Sequence, residues 1–192
     1  MLRDALFYPL AALLVAGMIA FALSLGGGDA LTDEEIVAEG WTLEGPALRN
    51  LTVSPGINMS YRDAEGGYVQ LSAFTPYDVG PGSIGTFATL GPDHERAFAG
   101  RPLRVTLRAR RAARDGLQAF DTAYFPVEAL PSPWAVFPLE DDWTEHSFEF
   151  TPPIVAAEPN VDLLSVFPGK AGEQKVMDLA AIRIEVIGDD AP

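Results

Sequence analysis

The chain of 192 residues contains no cysteine. Disulfide frameworks, thiolate catalysis and thiolate-held zinc are therefore excluded. Histidine is scarce: His94 and His146 are far apart and do not form the close His pair of a helical zinc site. Basic residues are few, 13 against 27 acidic ones, giving a net charge of −14. A surface of that sign repels nucleic acid and anionic headgroups. Nucleophile elbows and phosphate loops are also missing. Asp141 and Asp142 are neighbours on a predicted turn and diverge, whereas a glycosidase needs carboxylates about 5–10 Å apart across a cleft. These absences point away from an enzyme. Asn50 and Asn58 match the glycosylation pattern, which is common by chance.

What is present begins with a long apolar run. Residues 5–28, ALFYPLAALLVAGMIAFALSLGGG, carry no charged side chain. About 20 apolar residues span a bilayer core of about 30 Å. Leu6, Phe7, Leu13, Leu14, Ile19, Phe21 and Leu23 would face lipid, which predicts an anchor over 1–28. The alternative is a cleaved signal peptide, whose apolar stretch runs about 7–15 residues. Arg3 precedes the run, and Asp29, Asp33, Glu34 and Glu35 follow it. Positive charge stays cytoplasmic. The expected arrangement is single-pass in a bacterial inner membrane, with the N-terminus cytoplasmic and the C-terminal domain periplasmic. Residues 29–40 read as an acidic stalk. Within it, Thr32 and Glu35 have capping-box spacing and Gly40 is a helix stop, so a short helix competes with a flexible linker.

From Trp41 to residue 192 the pattern changes to short alternating strands between Gly and Pro turns. In PLRVTLRAR, Leu103, Val105, Leu107 and Ala109 alternate with Arg104, Thr106, Arg108 and Arg110. WTEHSFEFT puts His146, Phe148 and Phe150 on one face and Glu145 and Glu149 on the other. AAIRIEVI alternates Ile182, Ile184 and Val186 with Arg183 and Glu185. If these strands are neighbours, Arg and Glu form a charge ladder on a wet face. Further strands are predicted over 67–74, 85–91, 117–126, 134–139 and 161–168. The expected fold is all-β, a sandwich or jelly roll of about eight or nine antiparallel strands behind one transmembrane helix. GPDHERAFAG reads as a helical turn ended by Gly100.

The order of a Gly-ended turn, an Arg-studded strand, AFDTAYFP, SPWAVFPLEDDWTEHSFEF and a closing strand after Asp178 resembles the galactose-binding-like jelly rolls. Many carbohydrate-binding modules belong to that group. The resemblance covers roughly 85–187 and is weaker over 41–77. It implies a sugar platform, for which Tyr124, Trp134, Trp143, Asp121 and Asp142 are the candidates. Core burial competes for the same aromatics, since burying each contributes several kcal/mol at about 25 cal/mol per Å². The resemblance also makes Asp178 a candidate ligand of a structural calcium, against a simple cap or turn role. No other cofactor is expected.

Two functions are consistent with this reading. One is a non-catalytic accessory or scaffolding subunit, whose helix and outer domain dock on other membrane-protein subunits, for instance of an energy-transducing complex. The other is a membrane-tethered carbohydrate-binding module that contacts envelope or periplasmic glycan.

Overall fold

A computed structural model describes residues 31–74, 85–155, 160–169 and 174–188, with Leu14, Val15 and Met18. The chain divides into two compact units, 1–31 and 32–192. The predicted anchor lies almost wholly outside the described residues; of its named side chains only Leu14 is described, helical and exposed. Among the described residues no helix is long and apolar enough to cross a membrane.

The second unit is a two-sheet antiparallel β-sandwich. Its strands are β1 (Trp41–Glu44), β2 (Thr52–Val53), β3 (Ile57–Arg62), β4 (Tyr68–Ala73), β5 (Thr86–Leu90), β6 (Leu103–Arg111), β7 (Ala119–Phe125), β8 (Ala135–Pro138), β9 (Thr144–Phe150), β10 (Asp162–Phe167) and β11 (Val176–Val186). One sheet runs β3-β4-β11-β6-β9, with β1 also on β11; the other runs β2-β5-β10-β7-β8. Every segment read from the sequence as a strand forms one. The additional strands β1 to β3 come from the first part of the domain, where period-2 patterning is weakest.

Alternation places the core. Leu103, Val105, Leu107 and Ala109 of β6 face inward with Leu179, Ile182 and Ile184 of β11, and all are fully buried. Their neighbours face water and build the expected charge ladder. Arg104 stands between Glu149 of β9 and Glu185 of β11, with a 3.0 Å ion pair to Glu149. Arg108 stands opposite Glu145.

Of the acidic segment 29–40, residues 29 and 30 lie outside the described residues, and Asp33–Glu39 form a helix, α1, and not a flexible linker. Thr32 caps it by accepting from the Glu35 amide at 3.3 Å, and Glu35 accepts in return from the Thr32 amide at 2.8 Å. It does not stand apart as a stalk. Ile36 is fully buried in the core, and Arg96 of α2 (Pro92–Phe98) bonds Asp33 at 3.0 Å. Gly40 ends the helix at φ +68, where a Cβ would lie 2.5 Å from the Ile184 carbonyl. No other residue lets the chain pass this close from helix to β1.

His146 is buried, as its apolar-side position predicts, but not hydrogen-bonded at Nε2. Its ring packs against Phe120 and Phe137. Burial outweighs the attraction of Glu140 and holds its pKa below the ordinary 6.5. A lowered pKa means the folded state resists protonation, so the stability it contributes is present above about 6.5 and lost as pH falls through the folded value. Thermal unfolding between pH 7 and 5 should show this loss, and His146→Leu should show less of it. His94, half-buried against Phe98, shifts the same way, so the difference between the two proteins isolates His146.

Candidate functional site

The five residues predicted to bind a ligand do not converge. Tyr124 is fully buried on the inner face of β7, its ring against Phe150, and its hydroxyl donates to Asp162 at 2.7 Å. Burial, then the Asp162 charge, pushes that phenol well above its usual range. Tyr124 is therefore core and not a platform. Asp162 also accepts from the Val127 amide at 2.9 Å, and burial raises its pKa. Asp121 sits half-buried on β7, opposite Phe167 and Val136 in the five-stranded sheet. Trp134 is half-buried against Phe125 and the small cluster of Ile57, Ala73 and Phe167. Asp142 is exposed in the turn before β9, its carbonyl accepting from Thr144 at 3.2 Å.

Trp143 alone stands on the outer face of the six-stranded sheet, among residues the sequence reading did not name for binding. Tyr68 of β4 meets its ring edge-on, with centroids 5.6 Å apart. The Arg110 guanidinium lies 4.2 Å from the ring centroid and that of Arg108 5.4 Å. Its indole N–H donates to Glu65 at 2.7 Å. Strand register explains the assembly. Alternation turns Arg108 and Arg110 outward on β6, and pairing sets Arg110 opposite Asp178 of β11, which is opposite Gln70 of β4.

Asp178 is not ahead of the closing strand, as expected, but inside β11 and 2% exposed. One carboxylate oxygen accepts from Gln70 at 2.9 Å and the other from Arg110 Nε at 3.0 Å. Both oxygens thus face N–H donors, an environment made for an anion and not for a calcium ion. Among the described residues no group of three or more His, Asp or Glu is arranged to hold a metal.

Hydrogen bonds continue on either side of the pair. Arg62 Nε donates to Gln70 at 2.8 Å. Arg110 also clamps Glu65 with two bonds, 2.9 and 3.2 Å. Partial burial opposes the charge on Arg110, but its bonds to Glu65 and Asp178 prevail and raise its pKa. The bond from Trp143, then those from Arg110, hold Glu65 below the usual carboxylate range. Beside this array lies an open cleft of about 500 Å³ lined by Glu44, Glu65, Arg108, Glu145 and Arg183. A second recess of about 640 Å³ is bordered by Arg110, Arg111, Gln118 and Asp141. Aromatic edges, guanidinium donors and carboxylate acceptors beside a groove can bind a polyhydroxylated ligand by stacking and hydrogen bonds.

No protein-family model matches the sequence, and no curated protein matches it. Solved structures do match by fold. The chain is similar to the xylan-binding CBM22-2 domain of Xyn10C from Paenibacillus barcinonensis at TM-score 0.55 and 10% identity, covering 76% of this chain and 98% of that domain. The CBM22-1 domain of the same protein matches at TM-score 0.52 and 10% identity, over 77% of this chain and 93% of that one. An arabinose-bound GH51 α-L-arabinofuranosidase matches at 0.50 and 12% identity, over 76% of this chain but only 24% of the enzyme. At these identities the likeness is one of fold: a two-sheet sandwich of the kind used by carbohydrate-binding modules.

Proposed function

We propose that the domain binds a neutral polysaccharide, without catalysis, on the outer face of the six-stranded sheet. The observation that carries this is the half-buried Trp143–Tyr68 pair on that face, whose partners Glu65 and Arg108 line an open cleft. Likeness in fold to domains described as xylan-binding supports the ligand class. The net charge of −14 favours a neutral chain over a polyanion.

The apolar run 5–28 supports extending the proposal to a tether that holds the module outside a bacterial inner membrane. The alternative role, docking on other membrane-protein subunits, rests on the same run; no surface among the described residues favours it over glycan binding.

The test is a titration of the full chain, in a detergent without a sugar headgroup, with xylan, a β-glucan, an arabinan and a polyuronate while Trp emission is followed. Saturable change with a neutral polysaccharide is the expected result. Flat response to the whole panel defeats the proposal.

A further inference from the structure

The β3–β4 turn places a side chain where hairpins usually place glycine or asparagine. Glu65 adopts φ +52, the left-handed region that side chains with a Cβ seldom enter, and is followed by Gly66 at +89 and Gly67 at +98. A Cβ placed on Gly66 would meet nothing within 4 Å, so glycine is there for its backbone angle and not for lack of room. The Gly67 amide closes the turn on the Ala64 carbonyl at 2.8 Å. A turn held this way presents one carboxylate to β6 and to the residue just before β9. The Glu65 side chain is half exposed, yet it accepts from Trp143 Nε1 and from both terminal nitrogens of Arg110.

Trp143 has a single N–H, and Glu65 receives it. That bond fixes the rotation of the indole about its own stem. Arg110 is fixed from both ends, by Asp178 at Nε and by Glu65 at the fork. Strain at a functional position persists where surrounding contacts over-determine it. Here the contacts that offset the left-handed backbone at Glu65 are those made to the platform. Charged groups around it are Arg108 and Arg110 of β6, Asp178 and Arg183 of β11, Glu145 of β9 and Glu44, the last residue of β1.

We propose that Glu65 is the positioning residue of this face: a latch on the β3–β4 turn that holds Trp143 and Arg110 in the one arrangement that accepts ligand. The inference rests on the glycan-binding reading above. Glu65→Ala is expected to weaken binding about tenfold, and Glu65→Gln, which keeps an acceptor for the indole, about threefold. Binding by the wild type should fall as acid protonates Glu65, at a pH below the ordinary carboxylate range because the latch itself lowers that pKa. Glu65→Gln should lack this step.

A second measurement separates the latch from the ligand. The full chain is titrated with acid, without polysaccharide, while Trp emission is recorded for wild type, Glu65→Gln and Trp143→Phe. A step present in the wild type and absent from both variants establishes the contact, even if every polysaccharide fails, in which case the ligand class falls and the latch stands. A step that survives in Glu65→Gln overturns the latch. So does a Glu65→Ala protein that is folded by circular dichroism and binds polysaccharide as tightly as the wild type.

Discussion

Trp143→Ala is expected to weaken polysaccharide binding by about 30-fold, equivalent to about 2 kcal/mol, the size typical of an aromatic anchor. The ring is the point on the outer face where Tyr68, Arg108 and Arg110 meet. Its removal takes away the stacking area and leaves Glu65 bound to Arg110 alone. Stability should fall by about 1 kcal/mol, through the lost contacts with Tyr68, Arg110 and Glu65, less than the loss in binding. Isothermal titration paired with a thermal melt reads both quantities. Trp134→Ala is the matched control: it should cost stability through the contacts with Phe125 and Phe167 while leaving affinity near wild type. Equal affinity loss in the two variants would place the binding surface elsewhere.

Arg110→Ala carries the largest expected loss of stability on this face, about 3 kcal/mol, because it strands the buried Asp178 carboxylate. Arg110→Lys should recover little, since an ammonium cannot serve Asp178 from Nε while forking onto Glu65. Changing both partners together, Arg110→Met with Asp178→Leu, should restore most of the stability in a urea titration, because no buried charge is then left unpaired. The same double variant should still bind polysaccharide poorly. Stability and affinity would thereby come apart at one pair of positions. Chelator should leave the wild-type melting temperature unchanged if Asp178 serves Arg110 and Gln70 as placed.

Much of the fold was readable in the linear pattern. PLRVTLRAR and AAIRIEVI announce their inward and outward faces, and the Arg and Glu residues do meet across β6, β9 and β11. The cap spacing at Thr32 and the stop at Gly40 were visible too, but a flexible linker competed with the helix until the packing of Ile36 decided it. Alternation within a strand does not reveal register between strands, and the site depends on register. Nothing in GGYVQLSAF states that Gln70 will stand beside Asp178, or that Glu65 on the adjoining turn will reach Trp143. Tyr124 was misassigned for a related reason. Its neighbour Asp121 lies on the other face of β7, and only burial shows that the phenol's polar end is satisfied by Asp162. A row such as Arg108, Arg110 with Tyr68, Gln70 was the available signal: outward side chains richer in donors and aromatic surface than a plain wet face requires.

β11 has one more effect, on the order of assembly. Strands β1, β4 and β6 all pair with it, though they precede it by many residues. During synthesis the six-stranded sheet therefore stays divided until residues 176–186 have left the ribosome. Pairings so distant along the chain form slowly and leave apolar edges uncovered in the interval. A nascent chain halted before β11 would hold these edges open, so stalling shortly before residue 176 is expected to favour aggregation.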